Sequence, residues 1–494
     1  MMQNWDKPEK SDLKSWQNET SSVLDMPGYG NKPNKTDFSP IELAAGRITS
    51  PKKDDVVGAY YYRDGDTIKP YVFFVDNPGV NSIASNSFNQ IHFNSEKVFN
   101  NYYSIGIAVS DVDRITGPDG KFNNEVVVLF HAWNKPNVSD YLYVQILDRD
   151  LKPISHCRVD NLDYPTGANN VTRPYFSLTM GDYDDDGECE MAIGFRTADS
   201  HGGNQKYAIS TFDYDSSDKS LASKDTFIYS LDSPAQYNAV NLSSGDYNGD
   251  GIEDIAVCIS SFPEVLVDYY DMRNWAPYLL IFSTDTKLKL TKKGHWSSSY
   301  NPHEQFGSVR GSSITSGLFK YNPAGDFTTS RRQIAMANIS CSPNGTFSNN
   351  VIIFTVDDKY KPEIAYNLSS WHRNFTYKND NSAMPQISAG NFKGIDVNKI
   401  SDQIAFAWSE NKHPKFAIYD VDEKLTLTEK YKGYFKPGQT LASDQEWVSV
   451  PIVAADKDGK GYYLGAPIHL VIPGMLRANY IIQDPPQTPG LSSR

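Results

Sequence analysis

Gly181-Asp182-Tyr183-Asp184-Asp185-Asp186-Gly187-Glu188-Cys189-Glu190-Met191-Ala192-Ile193-Gly194 is a loop of alternating acids that runs into a short apolar strand. Asp182, Asp184 and Asp186 fall at every second position, Gly187 turns the chain, and Glu190 stands just before Met191. A hard cation such as calcium takes about six to eight oxygens, and a tight loop that supplies them needs a glycine at its bend. The pattern returns at Gly245-Asp246-Tyr247-Asn248-Gly249-Asp250-Gly251-Ile252-Glu253-Asp254-Ile255-Ala256-Val257.

These copies predict two calcium loops. The first uses the side chains of Asp182, Asp184, Asp186 and Glu190 with the carbonyl of Glu188. The second uses Asp246, Asn248, Asp250 and Asp254 with the carbonyl of Ile252. Six acids lie between Asp182 and Glu190, and without a cation that charge repels itself. An EF-hand is disfavoured. It needs a helix after the last ligand, whereas Met191-Ala192-Ile193 and Ile255-Ala256-Val257 suit strands.

Working outward, an acid or amide followed by an apolar run recurs at Asp55, Glu125, Glu190, Asp254, Gln333 and Gln403. A degenerate seventh copy, Val453-Ala454-Ala455-Asp456-Lys457-Asp458-Gly459, leads to Tyr462, with Ala454 and Tyr462 in place of the first and last ligands. Successive spacings are 70, 65, 64, 79, 70 and 59 residues. No helical period lies inside them, so each repeat reads as one four-stranded sheet. Runs such as Tyr141–Leu147 and Tyr278–Phe282 mark third strands, and Asp-bearing turns follow most of them. Seven repeats of four strands predict an all-β, seven-bladed β-propeller over residues 39–482. Residues 1–38 form a polar arm, which around Val23-Leu24 supplies a strand to the last blade. Residues 483–494 read as a Pro-rich linker. Ala59, Gly194, Cys258, Ala337, Ala407 and Ala466 share one aligned position, with Leu129 the exception, which predicts crowding there.

Composition narrows the function. A formal charge of −13 argues against a nucleic-acid partner. No apolar run reaches the length of a membrane span. The four cysteines show no CxxC pairing and read as thiols. The N-terminus carries no basic and apolar secretory signal.

The loops at Asp182 and Asp246, with their apolar strands, resemble the FG-GAP/VCBS repeats of integrin-type propellers at each ligand position. The copy at Asp111-Val112-Asp113 departs from the motif, because Arg114 to Asn124 is inserted before Glu125. The copies ending at Asp55, Gln333 and Gln403 lack the alternating acids. The resemblance implies an extracellular or cell-surface module for binding or adhesion, a monomer or part of a longer chain, with a protein or glycan ligand on a propeller face. Nine Asn-X-Ser/Thr sequons are compatible with secretion. A lectin or a polysaccharide-degrading enzyme on the same scaffold stays open. Trp133, Trp408 and Tyr60 to Tyr62 offer rings for sugar stacking, while no motif joins a histidine to a nucleophile or carboxylate.

Overall fold

The structure, a computed structural model, describes residues 18–19, 23–24, 42–50, 53–64, 67–74, 81–83, 105–113, 124–134, 139–159, 176–198, 205–230, 240–261, 276–297, 313–320, 331–341, 347–373, 385–390, 392, 401–410, 413–434, 452–455, 469–473 and 478–483. Every regular element among them is a β-strand. Among the described residues, no helix is long and apolar enough to cross a membrane.

The expected seven blades are corrected. The chain folds as an all-β, six-bladed β-propeller, six sheets of four antiparallel strands in a ring. The first blade is Glu42–Gly46, Asp55–Asp64, Thr67–Phe74 and Asn81–Ile83. The others span residues 106–159, 176–230, 240–297, 313–373 and 386–434. The seventh sequence copy builds no four-stranded meander. Its Val453–Ala455, His469–Pro473 and Ala478–Gln483 join two-residue strands from the other chain end, Asn18–Glu19 and Val23–Leu24, in a closing sheet of five short strands. Asn18–Glu19 and Val23–Leu24 both pair with Ala478–Gln483. The physical reason lies in the chain: proline has no ladder donor, and this copy carries Pro467 and Pro473 where a long strand would run.

Cores lie between consecutive blades. Val126, Val128 and Phe130 of the second blade pack with Val57, Val72 and Phe74 of the first. Val127 and Leu129 turn the other way, towards Ile193 and Phe195 of the third. Both faces of a second strand are therefore covered, which explains its unbroken apolar run. Outer strands face water on one side: in Thr291–Ser297 only Gly294 is buried.

The small-residue position is crowded by the next blade. A Cβ on Gly194 would sit 2.7 Å from Val240 Cγ1 and 2.9 Å from Leu242 Cδ1. Cys258, at the same position, is fully buried and donates its S–H to Met336 Sδ of the next blade at 3.0 Å.

Turns between third and fourth strands repeat one design. Asp148, Asp285, Asp357 and Asp422 each accept two backbone N–H groups through Oδ1, from the residues two and four positions on. Their backbone carbonyls accept from Leu151, Leu288, Tyr360 and Leu425, which adopt left-handed φ of 59° to 63°. That conformation costs a side-chain-bearing residue energy, and burial of Leu151, Leu288 and Leu425 offsets it.

Candidate metal loops

Each loop between a first and a second strand rests on a three-residue frame: a small residue, a variable one, then a buried apolar or aromatic anchor. The anchors are Ile48, Val112, Tyr183, Tyr247, Phe319 and Phe392, all no more than 2% exposed. Gly181 is small because the Tyr183 ring folds back over it: a Cβ there would sit 2.7 Å from Tyr183 Cε1 and 2.5 Å from Glu253 Oε2. Tyr183 then reaches the next blade, its hydroxyl 2.5 Å from Ser244 Oγ. The sequence reading missed these anchors, although the Gly-x-aromatic spacing at Gly181, Gly245, Gly317 and Gly390 is visible.

The residue opening the second strand closes the loop from below. Tyr183 N donates to Glu190 Oε2 at 2.7 Å, Tyr247 N to Asp254 Oδ2 at 3.2 Å, and Val112 N to Glu125 Oε2 at 3.2 Å. In the fifth blade Lys320 N donates to Gln333 Oε1 at 2.8 Å, so an amide fills the same role without charge. In the first, Asp55 Oδ2 accepts from Thr49 N at 2.6 Å and Thr49 Oγ1 at 2.7 Å.

In the third blade the carboxylates converge. Asp182, Asp184 and Glu190 each offer an oxygen, all within 4.8 Å of one another. Asp182 Oδ1 is buried and has no hydrogen-bond partner. Burial, reinforced by Asp184, Asp186 and Asp182, pushes the Glu190 carboxyl up to about 9, and burial raises Asp182 and Asp184 as well. Asp186 is not in this trio. It is exposed, and its Oδ1 accepts from Glu188 N at 2.8 Å. Glu188 is half-buried. Gly187 takes φ +85° and Asp185 φ 63°, the left-handed bends that a loop wrapping an ion requires.

The fourth-blade loop has the same outline and tighter internal bonding. Asp246 accepts from Gly249 N at 2.6 Å and Gly251 N at 3.0 Å. Asn248 Nδ2 donates to Asp250 Oδ2 at 2.6 Å, and Asp250 Oδ1 accepts from Ile252 N at 3.0 Å. Burial, then Asp250 and Asp246, pushes Asp254 up to about 8.

Asp111, Asp113 and Glu125 of the second blade also bring oxygens within 4.8 Å of one another. The insertion that breaks the motif in sequence leaves both ends in register, for Asn124 N bonds Arg47 O at 3.0 Å and Glu125 opens its strand. Burial, then Asp113, pushes Glu125 up to about 8. The degenerate copy at Asp456, Asp458 and Tyr462 lies outside the described residues.

Carboxylates held together, half-buried or buried, and with an orphaned oxygen are the donor set a hard divalent cation prefers. A hard divalent cation fits these residues; one bound there would be held by Asp182, Asp184 and Glu190, and would neutralise charge that burial penalises.

The loops also join blades. In the second to sixth blades, the residue just before the second strand donates its N–H to the carbonyl just after the first strand of the preceding blade. The pairs are Asn124 to Arg47 (3.0 Å), Cys189 to Asp111 (2.9 Å), Glu253 to Asp182 (3.2 Å), Arg332 to Asp246 (2.8 Å) and Asp402 to Leu318 (2.8 Å).

The aromatic candidates for sugar stacking are core residues where the structure describes their side chains. Trp408 is 2% exposed and packs on Phe406, and Tyr60 is fully buried against Tyr71 and Phe73. The side chains of Trp133, Tyr61 and Tyr62 lie outside the described residues.

The fold and these loops define the class: a β-propeller with acidic loops between its first and second strands. No family model matches the sequence, and no curated protein matches it. Among solved structures, the chain is similar to the Nup133 β-propeller domain of Vanderwaltozyma polyspora, at 11% identity over 92% of this chain and 98% of that one, TM-score 0.41. It is similar to an α-L-arabinanase of Penicillium chrysogenum at 9% identity over 78% and 93%, TM-score 0.39. It is also similar to a fucose-specific lectin of Aleuria aurantia at 7% identity over 80% and 99%, TM-score 0.36. Likeness at this level carries no argument about function.

Proposed function

We propose that the protein is a calcium-stabilised β-propeller, a binding or adhesion module that works in extracellular calcium. The observation that carries this reading is the convergence of Asp182, Asp184 and Glu190 around a buried Asp182 oxygen with no hydrogen-bond partner. The Asp246 loop is the second site, with Asn248 supplying a neutral oxygen where the first loop has Asp184. The metal's work is structural. It fixes the carbonyl of Asp182, to which the next blade is tied through Glu253 N. Extracellular modules bind calcium at roughly 10⁻⁴ to 10⁻³ M, which matches calcium outside cells and not in the cytosol. The FG-GAP/VCBS resemblance supports the same setting, and its implied ligand is a protein or glycan on a propeller face.

The test is a calorimetric calcium titration of the wild-type chain and of Asp184→Ala and Asp250→Ala. Two sites saturating in the millimolar range or tighter, one lost in each variant, support the reading. No heat of calcium binding at millimolar concentration refutes it.

A further inference from the structure

The Asp182 and Asp246 loops share one outline, but the blade that follows each gives it different surroundings. Glu253 and Arg332 hold the same position, just before the second strands of the fourth and fifth blades. Glu253 leans on the Asp182 loop: a Cβ on Gly181 would sit 2.5 Å from its Oε2. Arg332 leans on the Asp246 loop: a Cβ on Gly245 would sit 2.6 Å from its Cδ, and one on Gly249 2.7 Å from Arg331 Nε. The turn between third and fourth strands repeats the contrast. Its left-handed residue is Leu288 in the fourth blade and Tyr360 in the fifth. Leu288 packs with Tyr183, and its apolar side chain brings the Asp182 loop no donor. Tyr360 is half-buried against the core between the fourth and fifth blades. Its hydroxyl accepts from Ser283 and donates to Asp254. The outer strand of the fourth blade makes room for it, since a Cβ on Gly294 would overlap Tyr360 O.

Asp254 therefore accepts from Tyr247 N, from Asn248 N and from the Tyr360 hydroxyl. The other ligand side chains of this loop accept hydrogen bonds as well, Asp246 from Gly249 N, Asn248 from Asp250 N and Asp250 from Ile252 N. In the Asp182 loop, Asp182 Oδ1 has no partner. A phenol O–H on a carboxylate is a charge-assisted bond, and it favours the charged carboxylate in the absence of a cation.

We propose that Tyr360 is a positioning residue that sets the affinity of the second calcium site, by holding Asp254 in place of the ion. The inference rests on the calcium reading of the Asp246 loop. Calcium must displace the phenol to take Asp254, so this loop keeps its shape in chelator and binds the ion more weakly than the Asp182 loop does. The test is a calorimetric calcium titration of the full chain, wild type against Tyr360→Phe, with Asp250→Ala marking the second site as the one it removes. Thermal melting of the same chains in chelator accompanies it. Tyr360→Phe keeps the ring and loses only the hydroxyl. The second site is expected to bind about tenfold more tightly in Tyr360→Phe, equivalent to about 1.4 kcal/mol, while the first site is unchanged. The midpoint in chelator is expected to fall. A role in packing alone would lower that midpoint and leave calcium affinity unchanged or weaker, and either affinity result overturns the proposal while the second site itself stands. A second site seen only in Tyr360→Phe supports the proposal and shows that the phenol closes the site in wild type. No second site in either chain overturns both the proposal and the calcium reading of the Asp246 loop.

Discussion

Glu190 is 3% exposed, and Gln333 and Gln403 are 5% and 2% exposed at the same position of blades without the acids. The two residue types have nearly one shape and differ in charge. Where no cation is available the amide avoids the desolvation cost of a buried carboxylate; where the acid stands, something must neutralise it. Glu190→Gln should therefore melt at least as high as wild type in chelator. In saturating calcium it should melt lower, by the share of one site, about 1.4 kcal/mol at ten times Kd. Differential melts in the two buffers check this, and a variant less stable in both would tie Glu190 to packing alone. Glu42 gives a separate residue-level expectation. Burial pushes its carboxyl from 4.5 up to about 7. The folded state then holds a proton that the unfolded chain releases at lower pH, so this contribution is complete below about 4.5 and lost as pH rises towards 7. Glu42→Gln should flatten the fall in melting temperature between those pH values; an unchanged slope would assign the fall to other groups.

The loop is the element in which sequence and structure meet most closely, and the places where they part have physical causes. Second and third strands were legible because strands covered on both faces read as unbroken apolar runs, such as Val126 to Phe130. The convergence of Asp182, Asp184 and Glu190 was legible because alternating acids before a strand leave few other arrangements. The anchoring of Tyr183 was not, since its partner Ser244 lies 61 residues away. The trio at Asp111, Asp113 and Glu125 was obscured because an insertion changes spacing in sequence without moving the strand ends that carry the ligands. Backbone conformation yields a prediction here. Gly187 holds φ +85°, so Gly187→Ala should cost about 1–2 kcal/mol and weaken calcium binding at the Asp182 loop. Gly251 holds φ +95° in the other loop, and Gly251→Ala should weaken only that site. Calorimetry of the two variants separates them, and equal loss at both sites from either change would contradict independent loops.

At the scale of the whole molecule, the blade count was the error, and closure explains it. Repeat counting assumes that each copy builds the same sheet. The arm does pair Val23–Leu24 with Ala478–Gln483, as the sequence led us to expect, but the seventh copy contributes only short strands to that closing sheet and builds no blade of its own. The ring is joined by the chain of backbone bonds from Asn124 to Asp402, so what steadies one loop steadies the interface beside it. Calcium at two sites should raise the melting temperature by only a few degrees in a chain of this length. The most direct measurement is thermal melting of wild type and Asp184→Ala, each with millimolar calcium and with chelator. The account predicts that calcium raises the wild-type midpoint, that Asp184→Ala loses the third blade's share of that rise, and that the second site keeps the remainder. Wild-type curves that superimpose with and without calcium would contradict it.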